Sequence, residues 1–204
     1  MTIKTFNTEG VLLIANITKC KQYYSEKQFN YDYPESFSEL ILKGIVYIMT
    51  TQGTVNHLNF FSHQSQIDLD KWQHIATYNY LHVEEGDQIL LVPYGNFTRV
   101  CSEWGKSETV NERDIEMLEF QQKILAMRGI EKTITLDSIV EDRIRFRIQE
   151  EARLFEKSPE IMLETGFHKV NVFIRPEQKF SFLFEKINEV DLDQITLKPL
   201  EVFE

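Results

Sequence analysis

The run GVLLIANI, Gly10–Ile17, constrains this chain more than any other stretch. Its alternate positions are apolar in both sets, so a strand built from it offers no face to water. Such a strand needs cover on both sides. A chain of 204 residues can supply that cover from its own core, without disulfide or metal staples.

The rest of the first half also reads as strands. IVYIMTT and TVNHLNFF flank Gln52-Gly53 and predict a hairpin. ATYNYLHV and QILLVPY follow, joined by EEGD, and NFTRVC after the Pro93–Asn96 turn reads as one more strand. FSELILKG holds one or two helical turns that Gly44 can close. The short spacing predicts an antiparallel sheet or small sandwich.

After SEWGKSE the pattern changes. Asn111–Arg128 reads as a helix, with Thr109 and Glu112 at capping-box spacing, Met117, Leu118, Ile124 and Leu125 as its apolar face and Gly129 as its stop. Arg143, Arg145 and Arg147 alternate with Ile144, Phe146 and Ile148, predicting a half-exposed strand, with a helix from about Glu150. The competing helical line is Val140, Ile144, Ile148, Ala152 and Phe155, with Ser138 and Glu141 as its cap. Ser158-Pro159-Glu160 reads as the start of a short helix ended by Gly166. Val170, Val172 and Ile174, the turn RPEQK, and Phe180, Phe182 and Phe184 form the clearest hairpin pattern, and QITLKPLEVF reads as an edge strand.

The expected fold class is therefore α+β: mainly antiparallel sheet in the first half, helix plus β-hairpin in the second. The expected organisation is a β-rich half over 1–105 and an α+β half over 106–204, or one continuous domain.

Composition narrows the partners. The net charge of −10 repels a phosphate backbone and suits a basic protein partner. The first ten residues lack the apolar core of a signal peptide, and no apolar run is long enough to span a bilayer. The expected location is cytoplasmic, with no membrane partner, and Cys20 and Cys101 fit a reducing compartment as buried thiols.

Recognisable chemistry is sparse. Phosphate-binding glycine loops, nucleophile elbows and zinc-type cysteine arrays are missing from the sequence, so no cofactor is expected. His57, His63, His74 and His82 crowd into one stretch, and His57, His74 and His82 are the metal-ligand candidates, with His57 and His82 able to sit on neighbouring strands. Isolated strand and loop histidines are the commoner outcome of such spacing. Cys101 beside His82 is the candidate for a thiol nucleophile. Arg143, Arg145 and Arg147 could clamp an anion, but the nearby Glu141, Asp142, Glu150 and Glu151 favour internal pairing.

The remaining feature is KQYYSEKQFNYDYPESF, Lys21–Phe37, in which aromatic residues stand among polar ones without aliphatic company. Tyrosine supplies rigid contact area with a polar tip. Tyr23, Tyr24, Tyr31 and Tyr33, with Glu26, Asp32 and Glu35, are the candidate partner-binding residues; the alternative is that the rings pin a long loop to the domain.

An acidic, motif-poor α+β chain carrying the hairpin-like LILKGIVYIMTTQGTVNHLNFF, Leu40–Phe61, resembles bacterial immunity proteins that neutralise a cognate toxin. The resemblance implies stoichiometric inhibition, with acidic and aromatic groups covering a basic toxin surface. The two rival expectations are a metal-dependent or cysteine-based enzyme built on the scattered His and Cys residues, and a structural subunit of a phage or secretion assembly.

Overall fold

Val11, Leu13 and Ala15 pack under a layer of helices, while Leu12 and Ile14 pack against a second sheet, so the doubly apolar run is covered on both faces. The computed structural model describes residues 1–63, 67–106, 109–176 and 179–202. Along the chain run β1 (Thr2–Asn7), β2 (Val11–Asn16), α1 (Ile17–Ser25), α2 (Ser38–Leu42), β3 (Val46–Thr50), β4 (Thr54–Phe61) and β5 (Gln73–Val83). They are followed by β6 (Ile89–Pro93), α3 (Tyr94–Trp104), α4 (Glu112–Met127), α5 (Leu136–Lys157), β7 (Gly166–Arg175), β8 (Lys179–Ile187) and β9 (Leu200–Glu201).

One sheet has the order β6-β2-β3-β9 and the other β1-β4-β8-β7-β5. The fold is α+β, as expected, and its sheets are mixed: most pairs are antiparallel, while β4–β8 and β3–β9 are parallel. Both parallel pairs join a strand from the first half of the chain to one from the second. The layers run helices, four-stranded sheet, five-stranded sheet. Val46, Ile48, Leu90 and Val92 face the helices with β2, whereas Tyr47, Met49, Ile89 and Leu91 face Phe180, Phe182 and Phe184 of β8.

The expected hairpin across Gln52-Gly53 does not form. β3 pairs with β2 in one sheet and β4 with β1 in the other. The register is unbroken from Ala15 opposite Val46 to Val11 opposite Thr50, and resumes at Asn7 opposite Thr54 in the same phase. Two long strands thus form one ribbon that bends over a corner, passing from one layer to the next. The corner is tied across: Thr8 and Glu9 amides donate to the Gly53 carbonyl at 2.9 and 3.2 Å, and the Thr51 amide donates to Gly10. Burial decides this geometry, because a flat ribbon would leave the apolar faces of β1 and β4 without cover. The Leu40–Phe61 segment is therefore the end of α2 followed by a strand course bent between β3 and β4, and not a hairpin.

Three other elements differ from expectation. NFTRVC lies in a helix, since Phe97, Val100, Cys101 and Trp104 recur at 3.6-residue spacing and all are buried. The start of α3 is completed from far away: the Gly95 amide donates to Glu9 Oε2 at 2.6 Å. The arginine stretch is also helical, within one α5 begun by a reciprocal cap between Thr135 and Ser138. Its inward line is Ile139, Arg143, Glu150 and Leu154, not the apolar line Val140 to Phe155. Ser158-Pro159-Glu160 starts no helix; it runs extended beside β6, where the Leu91 amide donates to the Pro159 carbonyl and the Ile161 amide to that of Ile89.

Three expectations stand. Helix α4 is capped by Asn111 and Asp114 in place of Thr109 and Glu112. The β7–β8 hairpin forms in the alternating register, its turn residues Glu177 and Gln178 lying outside the described residues, as do Ser107 and Glu108 of the expected boundary. β9 is a short edge strand after Pro199. Among the described residues no helix is long and apolar enough to cross a membrane.

Candidate functional site

The aromatic segment is not one long loop. Lys21–Ser25 completes α1, whose start is capped by Asn16, so Tyr23 and Tyr24 project from a helix. Tyr24 points into the core at 2% exposure and meets Tyr23 and Phe29 with ring centroids 5.0 and 5.3 Å away. Phe29 then meets Tyr31 and Phe37, Phe37 meets Tyr33 and Phe97, and Tyr33 meets Tyr94. This chain of rings, mostly edge to face, fastens the segment to α3 in the absence of aliphatic side chains.

The four tyrosines thus divide. Tyr24 is buried, Tyr23 and Tyr33 are half-buried, and Tyr31 is 68% exposed. Tyr23 donates to Glu39 Oε2 at 2.5 Å, and Lys27 lies 4.2 Å over its ring. Lys27, Lys43 and the Tyr23 hydroxyl together hold the Glu39 carboxyl down to about 2. Burial pushes the Tyr24 hydroxyl up, far from ionisation at neutral pH. Glu26, Asp32 and Glu35 are exposed on the same segment.

Tyr31 and Phe29 form one wall of an open cleft of about 1200 Å³. Arg99, Glu103 and Lys106 line it from α3 and the residues just after it, Asp114 and Met117 from α4, and Arg143 and Phe146 from α5. Gly105 lets these walls meet, because a Cβ there would lie 2.6 Å from the Lys27 carbonyl oxygen. Several of the cleft's charges are paired: Glu103 with Lys106, Asp114 with Arg143, and Arg99 with the buried Glu150 at 3.0 Å. These paired groups present fixed hydrogen-bonding side chains along the cleft.

The arginine triplet binds inward or sideways. Arg143 joins Asp114, and Arg145 lies 3.4 Å from Asp142. Only the structure brings Arg99, Glu103, Asp114 and Phe146 to one place, from three separate helices, and no local sequence pattern signals their meeting.

The histidines do not converge. His57 lies on β4, His74 and His82 on β5, and β8 and β7 stand between those strands, a separation of roughly 14 Å. The expectation of neighbouring strands for His57 and His82 is corrected accordingly. His74 and His82 are eight positions apart on one strand, roughly 26 Å, whereas metal ligands sit about 2 Å from a common ion. Among the described residues no group of three or more His, Cys, Asp or Glu is placed to hold a metal ion.

His82 belongs to a different cluster. Lys19 Nζ lies 3.2 Å from His82 Nδ1, 3.1 Å from Glu84 Oε2 and 3.5 Å from Asp87 Oδ2. Asn16 Nδ2 donates to Asp87 Oδ2 at 2.6 Å, while the His82 ring stacks on Phe167 at 4.3 Å. Burial and the Lys19 charge push the His82 pKa down. The cluster fastens the start of α1 to the turn after β5. Cys20 and Cys101 are fully buried and burial raises both thiols, which removes them as nucleophiles in this conformation.

No known protein family, curated protein or solved structure matches this chain. What the fold and cleft define is an α+β chain with an aromatic-walled surface groove.

Proposed function

We propose that this chain is a non-enzymatic binding protein that covers a basic surface of a protein partner, in the manner of an immunity or inhibitor protein. The observation that carries the reading is Tyr31, a large ring 68% exposed at the wall of an open cleft. Isolated exposed rings are ordinary, but this one is held by Phe29 and stands with the exposed carboxylates of Glu26, Asp32 and Glu35 on one segment. Rigid aromatics ringed by acid suit a basic partner, and the net charge of −10 speeds such an encounter. The internal pairing of the cleft's charges and the burial of both thiols support binding over catalysis.

The test is titration calorimetry of the purified chain against basic, nuclease-type toxin domains. Tyr31→Ala is expected to weaken binding by about thirtyfold. Neutralising Glu26, Asp32 and Glu35 together should slow association and flatten its salt dependence. Binding that is indifferent to Tyr31→Ala, or no binding across a panel of such domains, overturns the reading.

A further inference from the structure

Helix α4 has two lines of side chains, one turned inward and one, apolar, left largely exposed. Asp114, Leu118, Gln121 and Leu125 recur at helical spacing and are buried or half-buried, and Asp114 reaches Arg143 of α5. Met117, Phe120, Ile124 and Met127 form a second line, about a third of a turn around the helix. Phe120 is 59% exposed and Met127 82% exposed. Large apolar side chains aligned on an outward helical face mark a contact surface.

The order of residues along that line identifies its partner. Read outward from Gln122, the helix mirrors itself: Phe120 is answered by Ile124, and Met117 by Met127. Among the charges, Glu116 is answered by Arg128, the residue that caps the helix end, while Glu119 and Lys123, one turn apart, flank the stripe near its centre on one side. An antiparallel copy of this helix therefore meets apolar with apolar and acid with base, and brings Glu119 beside Lys123 of its mate. A parallel copy would set acid against acid. Opposed helix dipoles favour the antiparallel arrangement further. The apolar line of α5, Val140 to Phe155, lacks this symmetry: mirrored about Ile148, Glu141 falls opposite Phe155 and Arg143 opposite Arg153.

We propose that α4 is a self-association surface through which two copies of this chain pair, antiparallel about a two-fold axis near Gln122. Such an isologous contact closes on itself and forms a dimer, not a filament. A stripe of one short helix lies at the small end of specific interfaces, so the dimer is concentration-dependent. The proposal rests on α4 and not on Tyr31; of the stripe only Met117 also lines the cleft, so Phe120 and Met127 test the dimer separately from the toxin reading.

Sedimentation equilibrium of the full chain from about 1 µM to about 200 µM tests it. The expected result is a rise toward twice 24.2 kDa. Phe120→Glu and Met127→Glu should each weaken association by roughly tenfold or more, with circular dichroism unchanged because both side chains are exposed. Glu119→Lys should weaken it as well, and Glu119→Lys combined with Lys123→Glu should restore it, because the swapped charges again meet their opposites across the axis. A chain that stays monomeric at the highest concentration overturns the proposal. So does a dimer unmoved by Phe120→Glu and Met127→Glu, or a double swap that restores nothing.

Discussion

Arg143 Nε lies 3.0 Å from Asp114 Oδ1 and its Nη2 lies 3.0 Å from Oδ2, a two-pronged pair that ties α5 to α4. Asp114 also accepts the Asn111 amide at 3.0 Å, so the same carboxylate caps its own helix. Asp114 is the one residue of α4 that is fully buried. Arg143→Ala leaves that carboxylate without its partner, at a cost of about 3–5 kcal/mol. The loss is local: hydrogen exchange should accelerate throughout α4 while β2 and β3 stay protected. Unchanged exchange in α4 would count against the role assigned to this pair.

Gly105 sits where the end of α3 meets the chain leaving α1. Its missing Cβ would lie 2.6 Å from the Lys27 carbonyl oxygen and 3.1 Å from that of Tyr24, both backbone atoms that cannot rotate aside. Gly105→Ala is expected to lower stability by about 1–3 kcal/mol through overpacking, read as a lower urea midpoint. The alanine also displaces Phe29 and Tyr31 from the cleft wall, so partner binding should weaken with it.

Acidification should destabilise the fold through two histidines. Burial, and then the Lys19 charge, lowers the His82 pKa, against smaller opposing effects of Glu84 and Asp87. Burial likewise lowers that of His168, whose Nε2 lies 2.7 Å from the Glu164 carbonyl. In the unfolded chain both take up protons near pH 6.5, before the folded chain does. Stability is therefore fully present above that pH and falls as the pH drops below it. Urea unfolding at pH 7.5 and pH 5.5 should show the loss. His82→Gln with His168→Gln should shrink the difference between the two pH values, and a difference that persists undiminished would refute the assignment.

Tyr24 makes a sharper test of the aromatic segment. Its hydroxyl is buried with no hydrogen-bond partner among the described residues, a situation that costs about 1–3 kcal/mol in other buried polar groups. Tyr24→Phe should raise stability by about 1 kcal/mol and leave partner binding unchanged, whereas Tyr31→Ala should do the reverse. Thermal melts paired with calorimetry separate the two, and a Tyr24→Phe that loses binding would move the contact surface inward.

Where a stretch of chain decides its own burial, the sequence was readable. Val11–Asn16 is apolar on both faces and can only be an inner strand. The alternation through Phe180, Phe182 and Phe184 likewise specifies a strand with one face in the core. The apolar periodicity through Met117, Leu118, Ile124 and Leu125 marks α4, although the cap is made by Asn111 and Asp114 and not by Thr109 and Glu112. The aromatic cluster from Tyr23 to Phe37 was visible as a cluster.

Other features depend on partners far away in the chain, and no local pattern reports them. Helix α3 has its first turn completed by Glu9, and the six residues Asn96–Cys101, taken alone, read as a strand. The inward Arg143 and Glu150 look like surface charges until Asp114 and Arg99 arrive to pair with them. Bending the β1–β4 ribbon over its corner was decided by two sheets competing to cover the same apolar faces. The sequence by itself determined that Tyr23, Tyr24, Tyr31 and Tyr33 would crowd together. Which ring faces water was settled by the packing around them: Tyr24 enters the core, Tyr33 finds an edge on Tyr94 of α3, Tyr23 is held by Glu39, and Tyr31 meets Phe29 with most of its ring left exposed.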